Sequence, residues 1–257
     1  MAQEAPVLLS TIKDRVCLLT LNRPDSRNSM NKELRSALRQ AILDADDNPD
    51  IFVVAITGAG SAFCSGADLR EASSGRMRRG PLHQEERSPF EVMIDCRKPI
   101  LAIVNGPAVA GGFELALACD MRVAADNAFF ALPEAKRSRG AHLASVLLPT
   151  MVPSGIAMEW LLTSRRIPIE EAERWGLVNR VTSADKLMSA GMSLAQDIAS
   201  SAPLSIQRMK LTFRKSHGLP LHAGIRLDVG PDPYSSEDAQ EGAKAFLERR
   251  PPVWVGR

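Results

Sequence analysis

Val104-Asn-Gly-Pro-Ala-Val-Ala-Gly-Gly-Phe-Glu-Leu-Ala-Leu-Ala-Cys-Asp120 is an apolar run interrupted by a bend, a glycine pair and a single carboxylate. Asn105, Gly106 and Pro107 stop the strand that Ile100 to Val104 predicts, because proline lacks an N–H and glycine admits turn dihedrals. From Gly112 onward the residues fit a buried helix, whose first-turn N–H groups find no acceptor inside the helix. Gly111 has no side chain to block approach, so its N–H can face a developing negative charge with the positive end of the helix dipole behind it. Glu114 lies one turn in, and helical side chains lean toward the N-terminus, so its carboxylate reaches back toward the space before Gly111. An oxyanion donor and a proton carrier would then share one small volume. The same residues also admit an architectural role, with Gly111 and Gly112 allowing close packing and Glu114 capping the helix start.

A second loop, Gly58-Ala-Gly-Ser-Ala-Phe-Cys-Ser-Gly-Ala-Asp-Leu69, follows the buried strand predicted over Ile51 to Thr57. Its small residues let main-chain N–H groups line a concavity, and strand-to-loop junctions are where α/β folds place ligands. Gly58-x-Gly60 runs on to Phe63, so no G-x-G-x-x-G fingerprint forms, and no phosphate-binding G-x-x-x-x-G-K occurs either. Phe63-Cys64-Ser65-Gly66 is not the G-x-S-x-G of a nucleophile elbow, which leaves Cys64 and Ser65 as packing residues.

The 32 basic and 30 acidic side chains nearly cancel, which argues against a nucleic-acid partner. The opening Met-Ala-Gln-Glu-Ala-Pro has neither the apolar stretch of a signal peptide nor transit-peptide character, so a cytoplasmic location is expected. Asn, Gly, Pro and Glu inside the run Val104 to Cys119 make a membrane span costly. Cys17, Cys64, Cys96 and Cys119 lack C-x-x-C spacing and read as reduced thiols, and His83, His142, His217 and His222 form no metal-ligand pattern. No metal or separate cofactor is expected.

Along the 257 residues, strands alternate with helices. Strands are predicted at Val16 to Leu21, Ile51 to Thr57, Ile100 to Val104, Arg122 to Ala124 and Phe129 to Leu132. Helices are predicted at Lys32 to Ala45, Gly155 to Leu162, Ile169 to Trp175 and Ala184 to Ser200, with Ser200-Ser-Ala-Pro203 breaking before a helical tail. This divides the chain into an α/β core over 1–200 and a helical region over 201–257. The charged stretch Glu71 to Ser88 has little apolar periodicity and reads as a lid or surface excursion.

Ser61-Ala-Phe-Cys-Ser-Gly-Ala-Asp-Leu69 and Asn105-Gly-Pro-Ala-Val-Ala-Gly-Gly-Phe-Glu-Leu115 together resemble the crotonase superfamily of enoyl-CoA hydratases and isomerases. Supporting marks span nearly the whole chain: Leu21-Asn-Arg-Pro24, Lys98-Pro99, Pro133-Glu134, Ala172-x-x-Trp-Gly-Leu-Val-Asn-Arg-Val181 and Phe246-Leu-Glu-Arg-Arg-Pro-Pro252. The resemblance implies a spiral of ββα units with a helical C-terminal region that packs trimers, often paired into hexamers. It implies an acyl-CoA substrate, with coenzyme A part of that substrate. The N–H groups of Ala67 and Gly111 would form the oxyanion hole for the thioester carbonyl, each donor being worth about 3 kcal/mol in such a site. Glu114 and Glu134 match the two family glutamates that hold a water between them, one accepting its proton as oxygen attacks C3 and the other delivering a proton to C2. Neighbours Phe113, Leu115 and Leu132 would favour a protonated carboxyl.

For the CoA portion, the resemblance marks Ser26, Arg27 and Ser29, then Ser65, Gly66, Asp68 and Leu69, with Gly112 and Pro133 at the acyl end. Arg23, Arg27 and Arg70 are candidate phosphate partners. A double-bond isomerase using mainly Glu134, or a silent acyl-CoA-binding oligomer, are the competing functions. One departure stands out: family hydratases carry a glycine and then Gly-Gly after Pro-Glu, whereas this chain reads Ala135-Lys-Arg-Ser-Arg-Gly-Ala-His-Leu-Ala-Ser145 and is one residue shorter. An altered acyl pocket is expected there, with His142 near it.

Overall fold

A computed structural model describes residues 5–71 and 87–257. The excursion expected between Glu71 and Ser88 lies, at 72–86, outside the described residues.

The chain opens with a hairpin, β1 (Leu8–Lys13) and β2 (Val16–Leu21), then α1 (Lys32–Asp47), β3 (Val53–Gly58), the three-residue α2 (Leu69–Glu71) and α3 (Pro89–Asp95). There follow β4 (Ile100–Val104), β5 (Ala108–Val109), α4 (Gly111–Ala118), β6 (Met121–Ala125), β7 (Phe129–Ala131), α5 (His142–Met151) and α6 (Ser154–Thr163). The remainder is β8 (Arg166–Pro168), α7 (Ile169–Arg174), β9 (Arg180–Thr182), α8 (Leu187–Ala199), α9 (Pro203–Ser216), α10 (Leu221–Ile225) and α11 (Glu237–Glu248).

The larger sheet has the order β1-β2-β3-β4-β6-β9, antiparallel at the first pair and parallel beyond it. A parallel sheet needs cover on both faces, and β3 is buried at all six positions. Because side chains alternate, Val53 and Ala55 face the cluster made with Leu187, Ala195 and Ala199 of α8, while Val54 and Ile56 face the helices of the main core. Helix α1 joins that core through Leu34, Leu38 and Ile42, spaced one turn apart, and the Asn31 side chain caps it by accepting the Leu34 N–H.

A smaller sheet pairs β5 with β7 in parallel and β7 with β8 antiparallel. Single-residue bridges extend it: Cys64 to Ala108 and Met30 to Ala67, both parallel. Each turn of the chain thus places one strand in the larger sheet, a strand or bridge in the smaller one, and then a helix. Successive turns are β2, Met30 and α1; β3, residues 64–67 and α2–α3; β4, β5 and α4; and β6, β7 and α5. That is a spiral of ββα units.

The expected elements occur with shifts of up to three residues: α4 starts at Gly111 rather than Gly112, and the helix expected at Ala184 starts at Leu187, after a turn. Strand β1, helix α3 and the short β5, β8 and β9 had no expectation. Every element after β9 is helical. No helix among the described residues is long and apolar enough to cross a membrane.

Candidate active site

The loops that carry the candidate donors are stitched to one another by main-chain bonds. Val109 N–H donates to Cys64 O at 2.9 Å, Met30 N–H to Gly66 O at 2.7 Å and Asp68 N–H to Met30 O at 3.2 Å. Asn105 ties the ends of β3 and β4, its Oδ1 accepting from Gly58 N–H at 3.1 Å and its Nδ2 donating to Gly60 O at 3.0 Å. Gly112 has to be glycine: a Cβ there would lie 2.0 Å from the Cys64 carbonyl oxygen. The helix start can therefore press directly onto the neighbouring loop.

This contact brings the two candidate amides together. A Cβ built on Gly66 would meet Gly111 N at 3.0 Å, and one built on Gly111 would meet Ala67 N at 3.8 Å. Neither the Ala67 nor the Gly111 N–H donates to an acceptor among the described residues. Ala110 sets the direction of the second donor. It holds φ 55°, ψ −129°, a conformation that L side chains rarely adopt, and is fixed by its own N–H to Ala131 O at 2.8 Å while its carbonyl accepts from Phe113 and Glu114.

Glu114 sits half-buried on the first turn of α4, next to Phe113, whose ring stacks on that of Phe130 in the main core. Its Oε1 accepts the N–H groups of Leu143 and Ala144 at 3.0 and 3.1 Å. Ala141, which precedes α5, supplies no capping side chain, so the carboxylate of another helix caps α5 in its place. Burial raises the Glu114 pKa above the usual carboxylate range, against the pull of those two amides and of His142. Glu134 follows β7 and Pro133 and is also half-buried, with its Oε2 buried and lacking a hydrogen-bond partner among the described residues. Burial first, and the charge of Glu114 second among the raising influences, lift Glu134 to about 6, while its own N–H and the guanidinium groups of Arg137 and Arg139 pull the other way. Two amides and two carboxyls with raised pKa values thus line one region, at the ends of consecutive strands of the smaller sheet. Such a set can polarise a carbonyl and move protons beside it.

The enoyl-CoA hydratase/isomerase family model matches residues 11–257. Carnitinyl-CoA dehydratases of Salmonella paratyphi A and Salmonella typhi are each 42% identical over 247 residues, covering 93% of this chain and 94% of the relative. This chain belongs to the enoyl-CoA hydratase/isomerase family. Among solved structures, an enoyl-CoA hydratase from Mycobacterium tuberculosis H37Rv superposes with TM-score 0.89 at 35% identity, covering 98% of this chain and 100% of that one. A probable enoyl-CoA hydratase/isomerase from Mycobacterium abscessus gives TM-score 0.89 at 36% identity over 98% and 100%. The ββα spiral is accordingly the crotonase fold.

In this member of the enoyl-CoA hydratase/isomerase family, the two strips marked for CoA run side by side. Ser65 N–H donates to Arg27 O at 3.0 Å and Ser65 Oγ to Ser26 O at 3.2 Å, while Ser29 Oγ donates to Asp68 Oδ2 at 3.1 Å. The Arg23 guanidinium bonds Asp68 Oδ2 at 3.0 Å and the Ser29 carbonyl, which ties it into the scaffold between the strips. Arg27 is exposed in a left-handed turn, at φ 52°. Arg70 is exposed on α2, with its N–H on Asp68 Oδ1, and the backbone of Leu69 opens the same helix.

Four residues play parts that had no expectation from sequence. Asn28 is fully buried at φ 55° and braces the glycine loop by donating to Ala59 O and Ala62 O. The others are the Leu143 and Ala144 amides and the strained Ala110. A helix start at Ala141-His142 without Ser, Thr, Asp or Asn signals a cap supplied from elsewhere; nothing local marks Ala110.

Proposed function

We propose that this protein is an enoyl-CoA hydratase-like lyase, adding water to, or removing it from, the α,β position of an acyl-CoA thioester. The carrying observation is the pairing of both carboxyls with two convergent, unengaged backbone donors. The Ala67 and Gly111 amides would bind the thioester oxygen and stabilise the enolate that forms when oxygen reaches C3. Glu114, whose anionic form is supported by two N–H groups, would accept the proton of the attacking water. Glu134, lifted toward neutrality, would deliver a proton to C2. Dehydration runs the same steps in reverse. Two carboxyls favour water chemistry over double-bond migration, for which one shuttle suffices.

No separate cofactor enters this scheme. The four thiols are buried and unbridged, which supports a reducing compartment such as the cytoplasm. Phe213 and Phe246 are 80% and 83% exposed, and a groove of about 530 Å³ lined by Met209, Tyr234 and Trp254 lies between α9 and α11, away from both glutamates. Such an apolar surface supports a homotrimer or a dimer of trimers built through the helical region over 201–257. Incubating the protein with crotonyl-CoA in ¹⁸O-labelled water tests the reading. Labelled 3-hydroxybutyryl-CoA supports it; loss of a 3-enoyl-CoA to its isomer without label, and no hydration, would replace it with the isomerase.

A further inference from the structure

Ala67 and Gly111 lie on different strips of the chain, so the gap between their amides has to be fixed by something that meets both. Met30 meets both. It forms a parallel bridge to Ala67, with its N–H on Gly66 O at 2.7 Å and its carbonyl accepting the Asp68 N–H at 3.2 Å. Met30 thus bonds the two neighbours of Ala67, and successive N–H groups of an extended strip point to opposite edges, so the Ala67 N–H is turned away from Met30. On that far edge Cys64 bridges Ala108, but β5 ends at Val109 and α4 begins at Gly111. The Ala67 donor is a ladder rung left open where strand gives way to helix. The Met30 side chain reaches the other donor. It is 3% exposed within the main core, and its methyl is the nearest atom to the point where a Gly111 Cβ would stand, at 3.1 Å. Gly66 Cα and Ala67 N follow at 3.7 and 3.8 Å, so the methyl fills the wedge beside Gly111 that its missing side chain leaves. Met30 is anchored in turn from α1, where Arg35 Nη1 donates to its carbonyl at 2.8 Å and the next residue, Asn31, caps the helix.

We propose that Met30 is a positioning residue that sets the spacing of the oxyanion hole, its main chain aiming the Ala67 N–H and its methyl holding Gly111 at a fixed distance from that strip. The proposal rests on the acyl-CoA reading above and deepens it. A flexible, unbranched thioether suits a gap of this irregular shape. A misplacement of about 1 Å in a catalytic site costs up to about 10²-fold in rate, and outright loss of one oxyanion donor about 10²- to 10³-fold. Truncating Met30 moves the donors without deleting either, so its effect should lie at or below the first of these.

Met30→Ala should lower kcat for crotonyl-CoA hydration about 10- to 100-fold with KM within about threefold of wild type. Met30→Val, which suits the extended backbone there, takes its place if the alanine variant does not fold. Met30→Leu, close in volume, should bring kcat back to within about fivefold. Leu38→Ala opens a cavity elsewhere in the same core, on α1, and should lower Tm comparably while leaving kcat unchanged. Gly111→Ala alone sets a Cβ against the methyl; with Met30→Ala that contact is gone, so the double variant should exceed the product of the single effects by about tenfold. Infrared spectra of bound butyryl-CoA carrying ¹³C at C1 read the hole without turnover. Wild type and Leu38→Ala should show the carbonyl band shifted to lower frequency than in the free thioester, and Met30→Ala should lose about half of that shift or more. A wild-type protein that binds the thioester with no shift overturns the oxyanion reading and the proposal together. A wild-type shift that Met30→Ala or Met30→Val keeps in full, or single effects that simply multiply, overturns the proposal and leaves that reading standing. If crotonyl-CoA is not hydrated while the infrared pattern holds, the lyase reading fails and Met30 stands as the spacer.

Discussion

Replacing Glu134 with glutamine should make the protein more stable at neutral pH while it loses activity. Burial and the neighbouring Glu114 lift the Glu134 carboxyl from 4.5 to about 6, which corresponds to about 2 kcal/mol of preference for the neutral form, or about 1 to 2 kcal/mol once solvent at its exposed edge is counted. The folded state then holds this proton more tightly than the unfolded chain. The group's favourable contribution is therefore fully present below pH 4.5 and is lost as pH rises through about 6. A glutamine in its place has no such dependence and keeps the volume. The Glu134→Gln variant should match wild type near pH 4.5 and exceed it above about pH 6.5 by about 1 to 2 kcal/mol, or about 2 to 6 °C in Tm. Thermal unfolding across this pH range, at fixed protomer concentration because assembly shifts Tm, reads the difference. Parallel curves, or a variant less stable than wild type at high pH, would refute the claim that Glu134 sits unpaired and desolvated.

Glu114→Gln should lower kcat about 10² to 10⁴-fold with little change in KM, whereas Glu114→Ala should also lower stability by about 1 to 2 kcal/mol in denaturant unfolding, because the Leu143 and Ala144 amides lose their cap. Gly112→Ala should cost about 3 kcal/mol or more in the same assay, since the new methyl would lie 2.0 Å from a backbone oxygen, while Gly155→Ala, which meets nothing within 4 Å, should be neutral or slightly stabilising. Ala110→Gly should raise stability by about 1 kcal/mol by relieving the φ of 55° there, with its gain offset in part by the flexibility glycine adds to the unfolded chain.

The alternation of strands and helices was legible wherever the pattern is long, whereas the spiral itself came only with the family resemblance. Periodicity located α1 and the helices expected at Gly155 to Leu162, Ile169 to Trp175 and Ala184 to Ser200, while a continuous apolar run located the Ile100–Val104 strand, which is buried at every position. Short strands such as β5 and β9 carry two or three residues, too few for a period, and exist because the smaller sheet and the main sheet edge supply their partners. The Gly111 donor was legible through glycine, since Gly111 and Gly112 mark a place where backbone must approach backbone, and the 2.0 Å figure at Gly112 shows how closely; Ala67 entered only through the family resemblance. What binds Glu114 was not legible, since its partners are amides thirty residues away and any residue can supply an amide. The contacts of Arg23 were not legible for a related reason: sequence shows a cation near a candidate phosphate site, and only packing reveals that Asp68 and Ser29 hold it.

A crystal structure of the protein with butyryl-CoA tests the central claim most directly. The account predicts the thioester oxygen about 3 Å from both Ala67 N and Gly111 N, with C2 and C3 lying between the Glu114 and Glu134 carboxyls. An ordered thioester whose oxygen meets neither amide, or whose C2–C3 bond lies away from both glutamates, would contradict it.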